Sequence, residues 1–149
     1  MSTMSQQDLT QEYAAPAGAL GQQPDANGPG GPLAVGQAFL SALARRDFAE
    51  LATCFATEAR FRALVPSGVR EGTGPQEAVA WLRRWFESAD RFEMQRTELD
   101  LVADRLSISY RIRVRKEGVL YVIEQQAYCD AANGQLSAIN LVCSGFRPV

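Results

Sequence analysis

The chain has 149 residues, 46% hydrophobic and 9% aromatic, with a formal net charge of −2. That length fits one domain around a single core. The balanced charge argues against a nucleic-acid partner, and no run approaches the roughly 18 apolar residues of a membrane helix.

Residues 1–32 stand apart. The segment AAPAGALGQQPDANGPGGP is rich in Gly, Pro, Ala and Gln and has no apolar period. It cannot bury enough surface to offset its ordering entropy and reads as a disordered tail. The opening MSTMSQQDLTQEY has neither a basic nor an apolar signal region, so a cytoplasmic protein is expected. The tail carries Asp8, Glu12 and Asp25 and no base, which leaves residues 33–149 with 15 basic and 14 acidic groups.

From Leu33 the pattern becomes regular. LAVGQAFLSALARRD sets Val35, Phe39, Ala42 and Leu43 on one helical stripe. Asp47 is placed to cap a second short helix, FAELATCF. EARFRALV alternates as a strand, and VPSGVREGTGP reads as a Gly/Pro turn region. Pro75 suits the first turn of a third helix, PQEAVAWLRRWFESAD, whose Ala78, Val79, Trp81, Leu82, Trp85 and Phe86 form a wide apolar arc. Four strands follow: FEMQRTELDLV, RLSISYRIRVRK, VLYVIEQQAYCD and QLSAINLVCSGF, the last three joined by KEGV and AANGQ turns. The second of these alternates most cleanly, with Ile108, Tyr110, Ile112 and Val114 on one face and Ser107, Ser109, Arg111, Arg113 and Arg115 on the other. The order α-α-β-α-β-β-β-β is an α+β pattern, best satisfied by one strongly curved sheet wrapped around the helices.

The chemistry available is narrow. There is no histidine, hence no Ser-His-Asp or Cys-His arrangement and none of the commonest metal ligand. The single lysine, Lys116, sits in an exposed-looking turn. Cys54, Cys129 and Cys143 lack metal-type spacing and read as buried free thiols. No nucleotide, phosphate or metal motif is present; VREGTG lacks the lysine and spacing of a P-loop. No metal or cofactor is expected. The abundant Arg, Ala and Gly suggest a GC-rich bacterial genome.

Three stretches, FLSALARRDFAELATCFATEARF, VREGTGPQEAVAWLRRWF and AYCDAANGQLSAINLVCSGF, resemble in order and spacing the nuclear transport factor two-like superfamily over residues 33–149. The resemblance implies a cystatin-like α+β cone, a strongly curved mixed or antiparallel sheet wrapped around three N-terminal helices. It also implies a conical, mostly apolar cavity of the SnoaL-like and ketosteroid-isomerase-like kind. The isomerases' oxyanion-hole tyrosine, general-base aspartate and protonated aspartate fall at Phe39, Ala63 and Gln126, so ketosteroid isomerisation is not expected. The Asp/His pair of SnoaL-like cyclases and the Asp-Arg-Asp set of limonene-epoxide hydrolases are missing too.

With Gln126 at the cavity-facing position, alternation brings Glu124 and Tyr128 to the same face. Tyr110 and Ile112 would join from the neighbouring strand, Leu141 and Cys143 from the last strand, and Phe39, Phe61, Trp81 and Trp85 from the remaining walls. An apolar pocket favours the neutral form of a carboxyl, which makes Glu124 a candidate general acid or base. Tyr110 and Tyr128 would be donors, and Gln126 an orienting group. The competing reading pairs Glu124 with an arginine such as Arg60 or Arg62, or sets it at the solvent rim. The arginines of the other face, among them Arg60, Arg62, Arg111, Arg113 and Arg115, suit either a homodimer interface or a solvated, cross-strand-paired surface. The function expected is therefore a pocket for a small apolar, polyketide-like or cyclic molecule. Its activity would be cofactor-free isomerisation, cyclisation or dehydration, or else the pocket serves binding or assembly without catalysis.

Overall fold

The computed structural model describes residues 28–149; the expected tail lies almost wholly outside them. Helix α1 spans Pro32–Ala44, α2 Phe48–Thr53 and α3 Gly74–Phe86. The strands are β1 (Phe55–Val65), β2 (Gly68–Thr73), β3 (Arg91–Val102), β4 (Arg105–Lys116), β5 (Val119–Ala132), β6 (Gln135–Cys143) and the short β7 (Arg147–Pro148). They form one seven-stranded sheet in the order β2-β1-β6-β5-β4-β3, with β7 added beside β5. The pairs are antiparallel except β1 with β6, which is parallel. This is the α+β cone, its curved mixed sheet closing over helices that all precede β3.

The helices form where the apolar period demands. Val35, Phe39, Leu40, Ala42 and Leu43 of α1 are buried, as are Ala78, Val79, Leu82 and Phe86 of α3. Asp47 caps α2, accepting a hydrogen bond from the Glu50 amide at 3.0 Å. Pro75 lies in the first turn of α3, where its missing N–H is not needed. Arg46, at φ 51°, turns the chain out of α1 and donates to the Phe86 and Ala89 carbonyls at 3.2 and 2.8 Å. It thereby satisfies acceptors at the C-terminus of α3, where cations are favoured.

One turn region of the sequence is a strand instead. Gly68–Thr73, read as loop, is β2, paired with β1 from Val65–Gly68 to Arg60–Thr73. Its two glycines and half-exposed edge position weaken the strand pattern in the sequence, and its ladder partner supplies the order. Cys54, Cys129 and Cys143 are buried free thiols. Among the described residues no helix is long and apolar enough to cross a membrane.

Candidate functional site at the mouth of the cone

A pocket of about 510 Å³ opens where α3, the β1–β2 turn and the end of β6 converge. Its walls are aromatic because of the helical period. Trp81 and Trp85, four residues apart, sit beside the buried stripe of α3 and are half-buried. Their ring centroids are 6.2 Å apart, and Trp85 lies 6.3 Å from Phe61 beneath it. The indole N–H of Trp81 donates to the Glu71 carbonyl at 3.1 Å, which fixes the ring. Val65 and Pro66 close one side and Phe146 the other. Gly145 makes the closure possible: its φ is +82°, and a Cβ there would stand 2.7 Å from Pro66 Cγ.

Beneath the pocket a polar chain runs into the core. The sulfur of Cys143, in the pocket wall, accepts from Gln125 Nε2 and from the Gly145 amide, each at 3.4 Å. The other end of the Gln125 amide, Oε1, accepts a short hydrogen bond from the Tyr110 hydroxyl. Gln125 is 2% exposed and is the one buried amide, and no charged side chain is buried with it, among the described residues. Both of its ends are satisfied, as burial requires. Burial pushes the Tyr110 hydroxyl well above its ordinary range, with the Cys143 and Cys129 thiols adding to the shift. Tyr110 therefore stays protonated, and its proton is committed to Gln125.

The expected catalytic face of β5 is the wrong face. Ile123, Gln125, Ala127 and Cys129 point inward, so Glu124, Gln126 and Tyr128 lie on the outer side of the sheet. Glu124 accepts from Arg111 Nε at 2.8 Å and Nη2 at 2.5 Å, and from Arg96 Nη2 at 3.1 Å. The Arg111 hydrogen bond, aided by the charges of Arg111 and Arg96, holds its carboxyl below the usual range, opposite to what a general acid needs. The arginine clamp was foreseen, but with other partners: Arg62 pairs with Glu71 at 3.5 Å. Gln126 donates to Ser107 Oγ at 3.0 Å across the outer face, and Tyr128 is 45% exposed there.

Of the other expected residues, Trp81, Trp85 and Cys143 line the pocket. Tyr110 faces inward but lies beneath it, hydrogen-bonded to Gln125. Phe39, Phe61, Ile112 and Leu141 are packed into the core, none more than 2% exposed. The depth of the cone is thus filled by side chains, and the open volume lies at its mouth. Gln125, Arg70, Arg84, Phe146 and Arg147 belong to the site and were not anticipated. Arg84 had a signal, since three residues from Trp81 it shares that side of α3.

Residues 37–139 match the family model described as a SnoaL-like domain. No curated protein is matched by the sequence. Among solved structures, similarity extends to a protein from Xanthomonas campestris designated a polyketide cyclase, at 18% identity and TM-score 0.61, over 74% of this chain and 88% of that one. It also extends to an epoxide hydrolase of M. tuberculosis, at 12% identity and TM-score 0.59, over 76% and 82% of the two chains. A protein of ketosteroid isomerase-like fold from Catenulispora acidiphila, bound to trimethylamine, is similar at 14% identity and TM-score 0.61, over 72% and 82%. These identities speak for a shared fold.

Proposed function

The chain belongs to the SnoaL-like domain family, and from that premise we propose that it binds a small cyclic or polyketide-like molecule with an apolar face at the mouth of the cone. The observation that carries this reading is the pocket of about 510 Å³ walled by Trp81, Trp85 and Phe146. That size and aromatic lining suit a compact organic ligand. Binding is favoured over acid–base catalysis because no Asp or Glu lines the pocket and the chain contains no histidine. Isomerisation or cyclisation needs a base near the reacting carbon. The only expected candidate, Glu124, is held outside by Arg111 and Arg96.

The two tryptophans of the chain both line this pocket, so tryptophan emission, excited selectively over the four tyrosines, reports on it. Flat apolar ligands from a cyclic and polycyclic panel are expected to quench or shift that emission. Affinity measured by calorimetry should fall roughly tenfold or more in Trp85→Ala, which removes a large aromatic contact. It should not change in Tyr128→Ala on the outer face. A panel in which nothing perturbs the emission, or equal losses in the two variants, would overturn the reading. Self-association through the outer sheet face belongs to the same proposal. It is supported by Leu64, Tyr128 and Val142, exposed there among arginines and carboxylates. Light scattering that finds only the 16.3 kDa monomer would remove it.

A further inference from the structure

Arginine and carboxylate are distributed unevenly among the clefts of this molecule. The cleft over β1 and β2 has Arg60 and Arg62, but Glu71 and Glu77 line it as well. The cleft on the outer face of β4 and β5 has Arg96 with Glu98 and Glu124. The cleft beside the β4–β5 turn has Lys116 with Asp90 and Glu117. The mouth of the cone differs: it is lined by Arg70, Arg84 and Arg147 and by no carboxylate.

Nor does any of these arginines form an ion pair among the described residues. The ion pairs among the described residues use Arg45, Arg62, Arg83, Arg96, Arg105 and Arg111. Arg70 is held in place by bonds to Ser67 Oγ at 2.7 Å and to the Val69 carbonyl at 3.2 Å. Its guanidinium carbon stands 5.7 Å from the Trp81 ring centroid, and that of Arg84 stands 5.8 Å from the same ring. Two cations thus flank one indole, with a third, Arg147, across the opening. Guanidinium groups stack on aromatic faces while keeping in-plane donors free for the two oxygens of a carboxylate.

Resting on the binding reading above, we propose that the natural ligand of this pocket is an organic carboxylate. Its flat apolar body lies against Trp81, Trp85 and Phe146, and its carboxylate is met by Arg84 and Arg147 at the rim, with Arg70 behind. An apolar body alone explains the aromatic walls but leaves three cations gathered with no ion-pair partner among the described residues. A bare inorganic anion explains the cations but leaves the indoles unused.

Calorimetry with the full chain separates these cases. The probes are 2-naphthoate, its neutral isostere 2-naphthamide, and inorganic phosphate, each at low and high NaCl. The expected result is that 2-naphthoate binds roughly tenfold or more tighter than 2-naphthamide, as a charge-assisted contact requires. High salt should erode the preference. It should collapse to within about twofold in Arg84→Gln/Arg147→Gln, both positions being exposed, with circular dichroism and Tm confirming the fold. Equal binding of the naphthoate and the amide overturns the carboxylate inference and leaves the apolar pocket standing. A preference that survives in the arginine variant overturns it also, and so does phosphate binding as tightly as naphthoate. If neither naphthyl probe binds, both the inference and the binding reading fall.

Discussion

Glu124 and Gln125 are neighbours in one strand and have opposite fates. On the outer face Glu124 is 44% exposed as a side chain, ionised and clamped by two arginines. On the inner face Gln125 is 2% exposed, uncharged and bonded to Tyr110 and Cys143. Water and nearby cations let a carboxylate remain charged at small cost, while an interior accepts a polar group only when it is neutral and fully partnered. A polar cluster in a strand is therefore not a site in itself; each side of the pleat sorts its half by a different rule.

Breaking the inner chain should give the largest effect. Tyr110→Phe strands the Gln125 carbonyl oxygen, and Gln125→Leu strands the Tyr110 hydroxyl. Each is expected to cost about 1–3 kcal/mol by urea denaturation. The double variant should cost clearly less than the two together, because no buried group is then left unpaired. Additive losses would show that the pair is not coupled.

Alkaline titration sharpens the same contrast. Burial pushes the Cys54 thiol up to about 11 and the Cys129 thiol up to about 12, and Tyr110 is raised as well. Groups with raised folded values stabilise below their unfolded values, and that stability is lost as pH rises through the folded ones. Stability should begin to fall near pH 9, as unfolded thiols ionise, and more steeply above about pH 10, where unfolded tyrosine ionises. Each proton held only by the folded state contributes about 1.4 kcal/mol per pH unit. The slope above pH 10 should be shallower in Tyr110→Phe; an unchanged slope would exclude Tyr110 as a source.

The outer face should respond least. Glu124→Gln is expected to cost no more than about 1 kcal/mol at neutral pH, less in high salt, since the pair is well exposed. The folded carboxyl is lowered, so its stabilisation exists above the unfolded value near 4.3 and is lost as pH falls through the folded one. Wild type and variant should therefore converge once acid has protonated the folded carboxyl, below the unfolded range. Ligand affinity should be unaltered, and a large loss of affinity in Glu124→Gln would return this residue to the site.

Most of the architecture was legible because burial and period agree in it. The α1 stripe, the Asp47 cap, the alternation of β4 and the two Gly-bearing hairpin turns all point one way. β2 was not legible, because GVREGT has little intrinsic strand preference and is ordered by its pairing to β1. The phase of β5 was legible in principle. Lys116 and Val119 flank a two-residue turn, and counting back from them sets the inward Tyr110 opposite Gln125. Residues directly opposite share a face. The family comparison put Gln126 inside instead, and one residue of slip turned the whole set outward. The arginine-lined mouth was beyond the sequence, since Arg70, Arg84 and Arg147 meet only after three separate segments, β2, α3 and β7, converge.

The parallel junction between β1 and β6 also orders events in time. Arg60 pairs with Ala138, 78 positions along the chain, whereas β3 to β6 are joined by successive hairpins. Closing that long loop costs about 2 kcal/mol more entropy than closing one of ten residues, so local hairpins form ahead of it. The mouth needs both sides of the junction: the turn after β1 and the end of β6. A half-folded chain has no pocket to offer, and a bound molecule should slow unfolding while leaving the refolding rate nearly unchanged.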